Sequence, residues 1–246
     1  MANRRRFIVM PGLLALLAAA ACTTAPVTTG APTTGVPSGA ARSTPHQARP
    51  AASRQARTGG AAASVTLAFA GDVHFTGRTA KLLSDPATAF GPVAAVLRSA
   101  DFAAVNLETS VTSRGVPQPK TYHFRTTPAA FTALRDAGVD LVTMANNHVL
   151  DYGTVGLADT LAAAKAARFP YVGIGTDAAA AWAPYVTTVK GMRIAVVGVS
   201  QVAELASSWV ATPSRPGEAN AIDLGRTLAA VRAARRLAPT VIVFMH

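Results

Sequence analysis

Short apolar runs that each end in a cluster of polar residues constrain this chain most. Residues 65–70, 101–107, 139–144 and 240–245 have the length of buried strands and are too short for helices buried on every face. The segments between them carry helix signals. Asp85-Pro86 has the form of an N-cap with proline at the first helical position, and predicts a helix to about Arg98, interrupted at Gly91-Pro92. Residues 128–137 place Phe131 and Leu134 at helical spacing and stop at Gly138. Residues 154–168 are rich in alanine. Residues 223–237 form a basic amphipathic stretch with Leu224, Leu228, Val231 and Ala234 on one side. Residues 112–120 hold glycine, serine and two prolines and read as a loop, with a short extended piece at 122–125. Residues 171–175 are strand-like, and residues 185–189 and 193–199 flank Lys190-Gly191 as a hairpin would. Strands alternating with helices predict an α/β fold with a mainly parallel sheet covered on both faces, made mixed by the hairpin.

In a parallel sheet the carboxyl ends of the strands share one edge, and ligands bind there. That edge would gather Asp72 and His74, Glu108, Asn147 and His148, and His246. Carboxylates, imidazoles and an amide oxygen suit Mn, Fe or Zn, and the Asp-x-His alternation lets one strand end offer two ligands. A carboxylate such as Glu108 can bridge two ions, and such a pair can clamp the attacking and leaving oxygens of a phosphoryl transfer. Each residue also has an ordinary reading. Gly-Asp and Asn-Asn are common in turns, a glutamate can cap a helix, and a terminal histidine can fray. It is their recurrence after successive apolar runs that favours a site.

The first 63 residues differ from the rest. Residues 1–21 combine Arg4, Arg5 and Arg6 with an apolar run from Leu13, the form of a secretory signal rather than a membrane span. The arginines also resemble a twin-arginine export signal. Cys22, the only cysteine, follows three alanines as in a bacterial lipobox, with Ala19 where leucine is usual. Acylation there predicts a membrane-anchored lipoprotein of the cell envelope, on the extracytoplasmic side, with secretion as the alternative. Residues 22–63 are rich in Thr, Ala, Pro, Gly and Ser, which predicts a disordered tether ahead of a domain at 64–246. That domain has no thiol, so core packing or metal must hold it. The net charge is +11, but the first 63 residues carry seven basic and no acidic residues. The remainder has 16 basic against 12 acidic, a net of +4, which is no nucleic-acid footprint.

Residues 70–74 (AGDVH), 106–109 (NLET), 145–148 (ANNH) with Asp151-Tyr152-Gly153, and the terminal Phe244-Met245-His246 resemble, in order, the CapA family of bacterial capsule or poly-γ-glutamate synthesis proteins. The resemblance covers residues 65 to 246. It implies a calcineurin-like metallophosphoesterase fold, with mixed, largely parallel sheets flanked by helices, and a site for two divalent ions. On that resemblance Asp72 and His74 would hold the first metal, Glu108 would bridge, and Asn147 would bind the second through its amide oxygen. His148 would act as general acid or charge stabiliser, oriented by Asp151. His246 would match the histidine of a His-Trp-Gly motif, and Arg78 would meet an anionic substrate. Family members continue past this histidine to a Gly-His-x-Pro-His segment, so the expectation is a C-terminally truncated chain with impaired metal binding. The implied function is a metal-dependent hydrolase in synthesis, export or attachment of an anionic polymer such as poly-γ-glutamate, working with membrane-bound synthase or export proteins. The alternative is a non-catalytic accessory lipoprotein that binds polymer for a membrane synthase.

Overall fold

The structure, a computed structural model, describes residues 64–246. The expected signal sequence, Cys22 and the tether lie outside the described residues. In chain order the elements are β1 (Leu67–Val73), α1 (Val93–Ser99), β2 (Phe102–Leu107), β3 (Ser110–Val111), β4 (Arg125–Thr126), α2 (Ala129–Asp136), β5 (Leu141–Thr143), α3 (Gly153–Ala167), β6 (Tyr171–Val172), β7 (Ile174–Gly175), α4 (Ala178–Ala181), β8 (Tyr185–Val189), β9 (Met192–Val199), α5 (Ala206–Trp209), β10 (Gly217–Glu218), α6 (Leu224–Leu237) and β11 (Thr240–Met245).

The class is α/β with largely parallel sheets flanked by helices, as expected, but there are two main sheets rather than one. The first is parallel, in the order β1-β2-β5-β6; the second runs β11-β9-β8. The predicted hairpin β8–β9 belongs to the second sheet, where β11 lies parallel to β9. Side-chain alternation explains the stacking, because successive residues of a strand face opposite sides. Phe102 and Ala104 of β2 pack with Leu141 and Val172 against Ile194 and Val196 of β9, between the sheets. Ala103, Val105 and Leu107 face the other way, onto Leu97 of α1, Phe131 and Leu134 of α2 and Leu157 of α3. Ala195, Val197 and Val199 meet Ala230 and Ala234 of α6. The result is helices, sheet, sheet and helix in four layers.

Four local expectations need correction. β1 does not stop at Ala70. It runs through Val73, with an irregularity at Gly71 that sets Asp72 opposite Asn106. The helix expected from Pro86 is instead two 3-10 segments, Gly77–Ser84 and Pro86–Thr88, and α1 starts only after Gly91, whose φ is +51°. Residues 171–175 are not one strand. Gly173 at φ +92° breaks them, so β6 pairs with β5 while β7 pairs with β10. A Cβ on Gly173 would sit 2.6 Å from that of Ala145, so the site turn is packed directly on this break. Finally, α6 buries Thr227, Ala230 and Ala234, while Leu224 and Leu228 are exposed. Its small residues Ala230 and Ala234 face the sheet, on Ala195, Val197 and Val199.

Candidate metal centre

Asp72 lies near the end of β1, Glu108 just beyond β2, Asn147 and His148 in the turn after β5, and His246 at the end of β11. Both sheets therefore supply the same edge. Parallel pairing alone aligns the first three ends. His246 joins them because its backbone N–H donates to the Val199 carbonyl, continuing the β9–β11 ladder.

Buried asparagines set the side chains. Asn106 is fully buried, and its Nδ2 lies 2.8 Å from Asp72 Oδ1 and 3.1 Å from His246 Nδ1. Asn106 Oδ1 accepts from Asn146 Nδ2, which also donates to the Leu107 carbonyl. Asn146 Oδ1 in turn accepts from the His148 backbone N–H. His246 Nε2 stands 2.9 Å from Asn147 Oδ1 and 3.6 Å from Glu108 Oε1. The two ring nitrogens of His246 thus lie within hydrogen-bond distance of the Asn106 amide and of Asn147 Oδ1, and a cation held by His246 would take the place of one of these contacts.

Among the described residues, Asp72, Glu108 and His246 offer ligand atoms that all lie within 4.8 Å of one another. The donor set suits a divalent cation of the Mn, Fe or Zn type. Glu108 is pushed up to about 7, first by burial and then by the neighbouring Asp72 carboxylate. Burial also lowers His246, against the opposing pull of Asp72. Two crowded carboxylates beside a neutral imidazole are the arrangement that a cation relieves, so these residues fit a divalent cation.

His74 does not join this group. Its Nδ1 accepts the Thr76 backbone N–H at 3.0 Å, which leaves the proton on Nε2, and its ring lies 4.9 Å from that of Phe124. Burial lowers its pKa, and the nearby His148 imidazole adds to the effect. Together with Asp72 it lines a cleft of about 250 Å3 walled by Phe75, Leu82, Phe90 and Val93. Arg78 is exposed in the 3-10 segment that follows.

His148 and Asp151 meet as expected. The Nδ1–H of His148 donates to Asp151 Oδ2 at 2.6 Å, and the same oxygen accepts the Phe124 backbone N–H at 2.5 Å. The His148 ring stacks on Phe124 at 3.8 Å and 11°, and its Nε2 lies 3.7 Å from Glu108 Oε1. Three residues apart, His148 and Asp151 come together because the chain turns tightly there, with Asp151 N–H on the His148 carbonyl. Behind them stands Lys120, whose side chain is 2% exposed and pairs with Asp151 Oδ1 at 3.0 Å. Asn106, Asn146, Phe124 and Lys120 belong to the site without standing out in the sequence. Asn106 and Asn146 sit inside the quoted motifs, while Phe124 and Lys120 carry no local signal.

Residues 66–246 match the family of bacterial capsule synthesis proteins called PGA_cap. The chain belongs to that family. It is similar to a probable polyglutamine synthesis accessory protein of Mycobacterium tuberculosis, at 35% identity over 133 residues, 52% of this chain and 35% of that one. It is similar also to the capsule biosynthesis protein CapA of Bacillus anthracis, at 26% over 159 residues, 62% of this chain and 38% of that one. The PGA biosynthesis protein CapA of Bacillus subtilis is 28% identical over the same length, which is 41% of that protein. The chain thus spans about two fifths of the length of the curated relatives it matches. Among solved structures, the NAD nucleotidase of Haemophilus influenzae aligns with a TM-score of 0.45 at 13% identity, over 74% of this chain and 34% of that one. The expected CapA relationship is borne out.

Proposed function

We propose that this chain is a metal-dependent hydrolase of the metallophosphoesterase type that acts on an anionic polymer, such as poly-γ-glutamate, or on its precursor during synthesis, export or attachment. The supporting observation is the convergence of Asp72, Glu108 and His246 within 4.8 Å, beside the His148–Asp151 pair. Asp72, Glu108 and His246 would hold one divalent ion, and Asn147 Oδ1 with a shared Glu108 would serve a second. Such an ion supplies Lewis-acid polarisation of a phosphoryl or amide oxygen. His148 would move a proton at Nε2, the nitrogen that faces Glu108, while Asp151 keeps the other proton on Nδ1. The sequence features of residues 1–22 support an envelope lipoprotein anchored through Cys22 and working beside membrane-bound synthase or export proteins. No helix among the described residues is long and apolar enough to cross a membrane.

The test is a Mn²⁺ titration of the chain with its Asp72→Ala variant, followed by hydrolysis assays on a phosphodiester and on a γ-glutamyl amide. Binding by the parent, loss of at least about tenfold in the variant and turnover of one bond type support the proposal. No turnover of either bond, with Asp72→Ala indistinguishable from the parent, ends the hydrolase reading. The word "accessory" in the name of the Mycobacterium tuberculosis relative favours a second reading, a non-catalytic polymer-binding protein for a synthase. It predicts that Asp72→Ala and His148→Ala leave polymer display in cells intact.

A further inference from the structure

Lys120 ends a loop that contains Gly115, Pro117 and Pro119, where a solvated lysine is the ordinary expectation. Its side chain is instead 2% exposed. A lysine ammonium has three N–H donors and accepts nothing. Here it meets Asp151 Oδ1 at 3.0 Å, Glu204 Oε2 at 3.1 Å and the backbone carbonyl of Asn147, and it lies 5.1 Å over the Trp209 ring. The loop that carries it is tied to the site turn, because Gln118 N–H donates to the Asp151 carbonyl at 2.9 Å and Lys120 N–H donates back to the Gln118 carbonyl.

Two of the three acceptors belong to the proposed chemistry. Asp151 receives Nδ1–H of His148 and the Phe124 N–H on one oxygen, while its other oxygen forms an ion pair with Lys120, so the ammonium restrains the carboxylate from the opposite side. Asn147 is held by its carbonyl while its side-chain Oδ1 points at His246 Nε2, 2.9 Å away. We propose that Lys120 is a positioning residue for both halves of the site: through Asp151 it presents Nε2 of His148 toward Glu108, and through the Asn147 backbone it aims the Asn147 amide oxygen at His246. Its functional meaning rests on the hydrolase reading above, but its geometry does not. A purely structural role, filling a buried charged slot, makes no demand on the ring nitrogens of His148.

The experiment is ¹⁵N spectroscopy of the histidine rings in the parent chain, Lys120→Met and Lys120→Arg, with Mn²⁺ titrations and thermal unfolding of each. The parent is expected to show His148 as one tautomer, protonated at Nδ1 and free at Nε2. Lys120→Met is expected to give a mixture of ring states and to lose about tenfold in Mn²⁺ affinity, with Lys120→Arg intermediate. A folded Lys120→Met variant with the parent's ring signals and Mn²⁺ affinity overturns the proposal. So does a parent with the proton of His148 on Nε2, a result that needs no variant to fold. A parent that takes up no Mn²⁺ removes the metal reading, and the ring-nitrogen pattern then decides the role of Lys120 by itself.

Discussion

Glu108→Gln tests the electrostatics of the site without any substrate. Glu108 is 12% exposed and faces Asp72, and its pKa rises from an ordinary 4.5 to about 7 through burial and then carboxylate repulsion. Between those values the folded chain keeps a proton that the unfolded chain has released. Stability therefore falls as pH rises through this window and levels off above it. Each pH unit corresponds to about 1.4 kcal/mol, which puts the ceiling near about 3 kcal/mol. Contact with solvent screens the repulsion, so the expected penalty is about 1–2 kcal/mol. Glutamine mimics the protonated acid and does not pay this penalty. In urea unfolding with EDTA, Glu108→Gln should match the parent at pH 4 and exceed it by that amount at pH 8. Glu218, pushed up to about 8 by burial, makes stability fall in the same direction, but it is present in both chains and cancels in the difference. With Mn²⁺ at pH 8 the order should invert, because the ion relieves the carboxylates in the parent and finds one ligand fewer in the variant. An equal gain at pH 4 and pH 8, or no gain at either, would refute the assignment of Glu108 as a strained partner of Asp72.

Two further predictions concern the frame that holds the site. Gly173→Ala forces a Cβ to within 2.6 Å of Ala145 Cβ at φ +92°, so it should cost at least about 2 kcal/mol in thermal or urea unfolding. It should also weaken Mn²⁺ binding through the displaced turn. On α6, Leu228→Gln should change stability by no more than about 0.5 kcal/mol, because Leu228 is 41% exposed, whereas Ala234→Leu should cost about 1–3 kcal/mol by overpacking a fully buried position. Equal effects of the two changes would restore the leucine side as the buried face.

Much of the frame was legible because it follows from local rules. Continuous apolar runs gave β2, β5 and β11, and alternation with helices gave the α/β class. Gly138 and the Lys190-Gly191 turn marked their boundaries, both with a glycine at positive φ. The division into two sheets was less accessible. It depends on which face of β9 meets β2, and Ile194 and Ala195 are both apolar, so composition cannot rank the faces. The direction of α6 failed for a related reason. A hydrophobic pattern predicts burial of leucine, but the buried face of the helix is Thr227, Ala230 and Ala234, and the two alanines are what pack on β9.

The site divides along the same line. The groups that would touch an ion or a substrate stand at strand ends, so the topology of a parallel sheet brings Asp72, Glu108, Asn147 and His148 to one edge, while His246 reaches that edge from the second sheet. His74 shows the limit of that argument. Two residues along from Asp72 it shares a strand end, yet the chain turns at once, with Phe75 at φ +48° and the Thr76 N–H occupying Nδ1. The supporting groups were hidden more deeply. Asn106 looks like any strand amide until its Nδ2 is found between Asp72 and His246, and Lys120 looks like any loop cation until Asp151, Glu204 and Trp209 close around it. A ligand set can be read from where strands end, because each member acts through its own atoms. A positioning residue acts through others, and burial of its charge becomes tolerable only when every partner has arrived from elsewhere in the chain. Its identity is therefore a property of the assembled fold, and a lysine in a Pro-Gly loop is where sequence alone looks last.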